Sequence, residues 1–330
     1  MRRFDVVAVV GAGAFGTALA CAAARAGRRA LLWARDADQA AAMAASRRSP
    51  RLPEAVLPPA VTPSAAPDDL RRAEAVILAV PTQNLAAAAA ALASVLAPDV
   101  PVIAAAKGIE RSTGRFVTEI VAAALPRAVP AILSGPGFAA DIAAGSPTAL
   151  TLACAEAATG EALALALGSP TFRLYHATDM RGVEIGGAAK NVLAIAAGIA
   201  AGKGFGESAV AALIARAFAE LTRFGVAYGA RAETLAGLSG LGDLVLTGTS
   251  SRSRNRRLGE ALGRGLAVEA AVAAVGLAEG VWTAGILAEM AAAKGVDMPV
   301  AQAVADLIAG RLTVDAAIEV LLSRPLKAEA

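Results

Sequence analysis

Cysteine, histidine and aromatic side chains are scarce in this 330-residue chain, and each scarcity removes a class of function. Cys21 and Cys154 are the only cysteines. Two thiols so far apart, with no C-x-x-C spacing, make neither a disulfide framework nor a zinc site. His176 is the only histidine, which argues against an imidazole-rich metal centre, and no metal is expected. Nothing near His176 in the sequence forms a triad with it, so its reading is structural. Aromatic residues make up 4% of the chain and charged residues 18%. No long basic tail and no basic stripe interleaved with aromatics is present. A formal charge of +3 and a pI of about 9.1 therefore do not point to nucleic acid. The longest uncharged run, Ala75–Pro98, carries Pro81, Gln83 and Asn84 in its middle. It reads as strand, loop and alanine-rich helix rather than a membrane span. The N-terminal MRRFDVVAVV contains Asp5 and leads straight into a glycine-rich turn, unlike a secretory leader. A cytoplasmic protein without stable membrane insertion is expected.

Hydrophobic residues make up 56% of the chain, with alanine dominant, as in Ala86–Ala91. The length favours two domains. Strand candidates are Val6–Val10, Ala30–Trp33, Ala75–Val80, Val102–Ala105, Ala131–Leu133, Ala149–Leu152 and Phe172–Tyr175. Between the earlier ones lie helical stretches at Phe15–Ala26, Asp36–Ala45, Leu85–Leu96 and Phe116–Leu125, and a Pro-rich surface excursion at Ser49–Pro67. Such alternation argues for a doubly wound, mostly parallel sheet. Beyond Met180 helical patterns take over, at Gly182–Ala201, Gly206–Phe224, Ser253–Gly263, Val268–Val275, Thr283–Lys294, Val300–Ala309 and Val314–Leu322. The expectation is an α/β domain over 1–180 followed by an all-α domain over 181–330.

The first strand runs into Gly11-Ala12-Gly13-Ala14-Phe15-Gly16. In a strand–turn–helix context, Gly11 permits the turn, Gly13 lets the backbone approach a pyrophosphate, and Gly16 lets the helix pack closely. This is the fingerprint of a Rossmann-type dinucleotide site, the alternative being a plain glycine-rich βα turn. After the second strand come Arg35 and Asp36. An acid here serves the ribose hydroxyls of NAD, and an arginine the 2′-phosphate of NADP. Asp36 also reads as a helix cap. NADP is the preferred expectation, with NAD as the alternative.

The chemical end lies further on. Lys190, in Gly186-Gly187-Ala188-Ala189-Lys190-Asn191, precedes the apolar run Val192–Ala201. If it points inward, burial lowers its pKa and eases proton exchange with a substrate hydroxyl; otherwise it snorkels to solvent. Lys107 follows a strand on the ligand side of the sheet, where it either polarises a carbonyl or serves as a loop residue. Ser134-Gly135-Pro136-Gly137-Phe138 holds the analogous place after a later strand. Glu279-Gly280 reads either as a contact to the cofactor amide or as a surface loop. Asp243 lies ahead of Arg252, Arg254, Arg256 and Arg257, and Ser250–Ser253 offers N-caps for the helix that follows. Arginines and an asparagine at such a start face a phosphate together with free backbone N–H groups. A small phosphorylated substrate is expected.

Taken in order, GAGAFGTALA, VILAVP, KGIE, SGPGFA, GGAAKN, GLGDLVLT, SRNRR and AEG resemble the soluble bacterial glycerol-3-phosphate dehydrogenases, which use NAD or NADP. The resemblance covers nearly the whole chain. It implies interconversion of dihydroxyacetone phosphate and sn-glycerol 3-phosphate, the entry to glycerophospholipid synthesis. It makes Lys190 the proton donor or base, with Lys107 binding the carbonyl and Asp243 orienting Lys190 and contacting a substrate hydroxyl. Ser253, Arg254 and Asn255 would hold the phosphate, with substrate contacts at Gly135 and Gly137. The cofactor would meet Gly11, Gly13, Ala14, Phe15, Gly16, Arg35, Lys107, Ala139, Arg254, Ala278 and Glu279. Three positions depart from the family pattern: Ala14 lacks the usual hydroxyl, Gly137 stands where serine or threonine is usual, and Ala278 is smaller than the common aliphatic residue. Two other readings stand beside this one, a related two-domain hydroxy-acid dehydrogenase and a non-catalytic nucleotide-sensing protein. The apolar C-terminal helices suit either a homodimer or an internal core.

Overall fold

The computed structural model describes residues 4–325. It divides into two compact units, Met1–Lys107 with Arg115–Glu184, and Gly108–Gly114 with Ile185–Ala330. The ends of the two expected domains, residues 1–3 and 326–330, lie outside the described residues. The division falls inside a helix rather than at 180/181, and it assigns residues 108–114 to the second unit.

The first unit contains strands β1 (Val6–Val10), β2 (Arg29–Trp33), β3 (Arg48–Ser49), β4 (Leu52–Val56), β5 (Val61–Ser64), β6 (Ala75–Leu78), β7 (Pro101–Ala104), β8 (Val129–Ser134), β9 (Thr148–Cys154) and β10 (Phe172–Ala177). Its helices are α1 (Ala14–Arg25), α2 (Ala37–Ser46), α3 (Leu85–Ala90), α4 (Val117–Ala124), α5 (Ala139–Ala144) and α6 (Ala157–Leu167), with the start of α7 (Met180–Gly202). Eight strands form one sheet in the order β10-β9-β8-β7-β6-β1-β2-β5. All neighbours are parallel except the antiparallel β8–β9 pair. Both faces of the central strands are covered, so β1, β6 and β7 are buried and apolar on both sides. In β1, Val7 and Val9 join one core while Ala8 and Val10 join the other; Ile77 and Leu78 of β6 divide the same way. Each fully buried Val, Leu or Ile contributes about 1.5–3 kcal/mol.

The chain leaves β1 toward β2 on one side and later returns on the other through β6. The crevice beyond the carboxyl ends of β1 and β6 is therefore the topological switch point, where ligands of open α/β sheets bind. The glycine-rich turn lies there.

Several expected elements differ from those observed. Strand β6 ends at Leu78 rather than Val80, three residues before Pro81. The Pro-rich excursion is partly ordered into the β3–β4 ribbon and the sheet-edge strand β5. Pro63 of β5 hid this, since an edge strand tolerates a residue that cannot donate on its outer side. The helix expected to reach Leu96 ends at Ala90.

The second unit holds the rest of α7 and helices α8 (Glu207–Ala227), α9 (Ala232–Leu235), α10 (Asp243–Thr249), α11 (Arg254–Gly263), α12 (Val268–Val275), α13 (Glu279–Ala293), α14 (Pro299–Ile308) and α15 (Val314–Leu322). A π-turn at Leu238–Gly242 leads into α10. Among the described residues, α7 is the one helix long and apolar enough to cross a membrane, and 89% of its apolar window is buried.

Two buried glutamates act as caps for other helices. In the first unit, Glu184 Oε1 accepts from the Thr118 N–H of α4 at 2.7 Å. In the second, Glu220 of α8 accepts from the Val300 and Ala301 N–H groups of α14 at 2.8 and 3.2 Å. Each satisfies donors that a helix start leaves without an internal partner. Burial pushes each carboxyl up from 4.5 to about 7, more than these hydrogen bonds pull it down. Between pH 4.5 and about 7 the unfolded carboxyl is ionised while the folded one still holds its proton. Stability is thus fully present below that window and falls as pH rises through it. Glu184→Gln keeps an acceptor for Thr118 and removes one titration. It is expected to flatten the stability–pH profile and to be more stable than the parent at about pH 8, read from urea midpoints. An unchanged slope would reject Glu184 as a source.

Candidate active site

In the first unit, Gly11 adopts φ +113° and donates its N–H to the Trp33 carbonyl at 2.9 Å. A Cβ there would stand 2.6 Å from the Ala79 carbonyl oxygen, so only glycine fits the turn. A Cβ on Gly16 would stand 1.9 Å from the Gly11 carbonyl oxygen. Gly13 is the N-cap of α1 and carries no side-chain cap. Nothing lies within 4 Å of where its Cβ would be. Gly13 is exposed at the start of α1, whose first-turn N–H groups have no partner within the helix, a fit for a dinucleotide pyrophosphate.

Asp36 caps α2 by accepting from the Asp38 and Gln39 N–H groups at 2.9 and 3.2 Å. Arg35 beside it is exposed. Gln39, which sequence reasoning missed, donates to the Ala12 carbonyl at 3.1 Å and ties α2 to the glycine loop.

Lys107 joins two expected segments. Its Nζ donates to the Gly135 carbonyl at 2.8 Å and lies 5.7 Å from the centre of the Phe15 ring. Gly137 is packed rather than vacant: a Cβ there would meet Ile142 Cδ1 at 3.0 Å and Thr148 Cγ2 at 3.1 Å. Ala139 opens the short helix α5. His176 is exposed on the edge strand β10. Cys21 and Cys154 are free, buried thiols whose pKa burial raises, which keeps them unreactive.

In the second unit Lys190 is only 6% exposed and does not snorkel. Its Nζ is 3.1 Å from Asp243 Oδ1 and donates to Thr247 Oγ1 at 2.8 Å. Thr247 in turn donates to the Asp243 carbonyl at 2.5 Å, with Oδ1 at 3.1 Å. Thr247 was missed, although a hydroxyl four residues after Asp243 shares its helix face. Local backbone explains the approach. A Cβ on Gly186, one turn before Lys190, would stand 2.7 Å from the Ser239 carbonyl oxygen. The small residue admits the π-turn carrying Asp243, rather than leaving room for ligand there.

The expected phosphate residues start α11. Ser253 is the N-cap, buried, and accepts from the Arg256 N–H at 3.2 Å. Arg254 is exposed and reaches the Leu277 carbonyl at 3.3 Å, one residue before Ala278, the N-cap of α13. Glu279 begins that helix and is half-buried. Asn255 is turned inward: its Nδ2 donates to Asn191 Oδ1 at 2.8 Å, and its Oδ1 accepts from the Gly280 N–H at 3.1 Å. Sequence reasoning does not single out Asn191 as a site residue, and it places Gly280 only with Glu279, at the cofactor amide or in a surface loop. Arg256 leaves the cationic cluster, bonding Glu260 at 2.8 Å and the Gly248 carbonyl.

The unit thus brings together a buried ammonium on an acid and a hydroxyl, and a capped helix start bearing an exposed arginine. The first can move a proton, and the second suits an oxyanion.

Family models agree in sequence order. That of the NAD-dependent glycerol-3-phosphate dehydrogenase N-terminus matches residues 6–160, and that of its C-terminus residues 179–319. The chain is 58% identical over 328 residues to a glycerol-3-phosphate dehydrogenase (NAD(P)+) of Bradyrhizobium sp. strain ORS 278, covering 99% of both chains. It is 56% identical over 334 residues to that of Azorhizobium caulinodans, covering 100% of both. A solved glycerol-3-phosphate dehydrogenase from Coxiella burnetii is similar with a TM-score of 0.92 at 34% identity, over 98% of this chain and 99% of that one.

Removing one partner from a buried ion pair leaves the other charge uncompensated. Asp243→Ala is expected to lower stability by about 3–5 kcal/mol, and Thr247→Val by about 1 kcal/mol. Urea unfolding separates the two, and equal small losses would show that Lys190 is not held as an ion.

Proposed function

The chain belongs to the NAD-dependent glycerol-3-phosphate dehydrogenase family, and we propose that it reduces dihydroxyacetone phosphate reversibly to sn-glycerol 3-phosphate, feeding glycerophospholipid synthesis. The observation that carries this reading is the buried Lys190–Asp243–Thr247 cluster. When bound, the reduced nicotinamide supplies the hydride, and the protein supplies orientation and charge. The residues proposed to hold it are Gly11, Gly13, Ala14, Phe15, Gly16, Arg35, Lys107, Ala139, Arg254, Ala278 and Glu279.

Lys190 Nζ gives a proton to the carbonyl oxygen as charge develops there, and takes it back in the oxidation. Asp243 and Thr247 fix the direction of its N–H bonds and keep the ammonium compensated. Lys107 adds positive charge at the carbonyl oxygen. Ser253, Arg254 and Asn255 bind the phosphate at the start of α11, where helix dipole and guanidinium act together. Gly135 and Gly137 bound the substrate through their backbone. NADP is the preferred cofactor: Asp36 is engaged as a cap, while Arg35 is exposed and suits a 2′-phosphate. The burial of most of the apolar window of α7 supports a core helix rather than a membrane span.

Oxidation of NADPH and NADH by the purified protein, with and without dihydroxyacetone phosphate, tests the reaction. Substrate-dependent oxidation is expected, faster with NADPH, and Arg35→Ala should narrow that preference. No oxidation with either cofactor, although both bind, would reject the substrate. Lys190→Ala should lower kcat roughly a hundredfold to ten-thousandfold with cofactor binding intact. Arg254→Ala should chiefly raise KM for dihydroxyacetone phosphate, by about tenfold to a hundredfold. A loss of cofactor binding equal to the loss of turnover would reject the role of Lys190. An unchanged KM would remove Arg254 from the phosphate.

A further inference from the structure

Arg256 stands where its own helix disfavours a cation. It is the third residue of α11, whose first turn holds no acid, although the dipole of a helix start favours negative charge. Its partners lie largely outside that turn. Nη1 donates to the Gly248 carbonyl, and Nε donates to Glu260 Oε1 at 2.8 Å. Gly248 is the last residue but one of α10, so its carbonyl is among those that a helix end leaves without an internal donor. A guanidinium is favoured at that end of the dipole. Glu260, one turn further along α11, also has Oε2 3.4 Å from Arg264 Nη2. The Arg256 and Glu260 side chains are 17% and 19% exposed, so water screens this pair less than one on the open surface. The planar guanidinium meets both acceptors in fixed directions, which a lysine ammonium does not reproduce.

The Arg256 backbone is pinned as well. Its N–H donates to Ser253 Oγ at 3.2 Å, closing the cap of α11, and a Cβ on Gly198 of α7 would stand 2.1 Å from its carbonyl oxygen. One residue thus closes the start of α11 through its backbone and the end of α10 through its side chain. Helix α10 is seven residues long and begins at Asp243, with Thr247 immediately before Gly248. Both partners of Lys190 ride on the element that Arg256 holds.

We propose that Arg256 is a positioning residue: it fastens the end of α10 to the start of α11 and so keeps Asp243 and Thr247 in register with Lys190. The inference rests on the proposed reading that Lys190 exchanges a proton with the substrate, and it names what keeps that amine aimed. In this role Arg256 acts through α10 and not on the phosphate.

Arg256→Met keeps the length of the side chain and the backbone N–H that closes the Ser253 cap, and removes both polar bonds. The kcat for dihydroxyacetone phosphate should fall about tenfold to a hundredfold, with KM for that substrate and for NADPH within about threefold, the pattern of a displaced reacting group. Arg256→Lys restores the charge without the fork and should not recover kcat. In a Thr247→Val background Arg256→Met should cost clearly less than in the parent, because part of the geometry it protects is already lost. A raised KM with kcat intact would put Arg256 on the phosphate and overturn the proposal, as would full recovery by lysine or losses that multiply independently. If Arg256→Met does not fold, Glu260→Gln carries the test: it weakens the ion pair and should lower kcat in the same way to a smaller extent, and an unchanged kcat overturns the proposal. Hydrogen exchange separates this role from the substrate reading. In Arg256→Met, or in Glu260→Gln in its place, the amides of α10 should exchange faster, by about tenfold for the first, with those of α8 unaffected. Unchanged exchange in α10 overturns the proposal whatever the substrate, whereas a parent that does not oxidise NADPH with dihydroxyacetone phosphate strikes the reaction reading instead.

Discussion

An ammonium group inside an apolar helix is the constraint around which the helical unit is arranged. Lys190 lies on α7 among residues that are almost all buried. An isolated buried charge costs several kcal/mol even after relaxation, so it persists only with partners in good geometry. Asp243 supplies the opposite charge, and Thr247 accepts one ammonium N–H while donating to the Asp243 carbonyl. The surrounding backbone follows from this requirement. The π-turn at Leu238–Gly242 places Asp243 at the start of α10, and Gly186 removes the Cβ that would hold that turn off α7. π-turns recur at functional sites because they re-aim a side chain at the expense of regular hydrogen bonding.

The same helix is pressed against α11. A Cβ on Gly198 would stand 2.1 Å from the Arg256 carbonyl oxygen, and one on Gly259 would stand 2.0 Å from that of Ile195. Backbones in such contact leave no side chain between them to adjust. The start of α11, with Ser253 and Arg254, is therefore registered on the helix that carries Lys190. The Asn255–Asn191 bond and the Gly280 N–H extend the registration to α13. Small residues here do geometric work, so the abundance of alanine and glycine in this region is not compositional drift alone.

The first unit reaches its function by topology. Reversal of strand order at β1 and β6 opens the crevice, Gly11 turns the chain across it, and Gly13 keeps the mouth of α1 clear. Lys107, after β7, is stabilised there by the Gly135 carbonyl and the Phe15 ring. Two segments far apart in sequence meet at one amine.

Through the family resemblance the sequence points to Lys190, Asp243 and Arg254; by itself it determined the two-part architecture, the glycine turn and the cationic helix start. These are local: strand alternation, helix period, caps and glycine spacing act over a few residues, so a linear reading recovers them. It also left real alternatives, since Asp36 read equally as a ribose contact and as a cap. Only the tertiary structure decided that Asp36 caps α2, that Arg256 belongs to Glu260 rather than to an anion, and that β5 joins the sheet despite Pro63. It alone revealed Thr247 beside Lys190 and the chain from Gly280 through Asn255 to Asn191. Those choices depend on which backbone donor or charge arrives from another element, and no sequence window contains both partners.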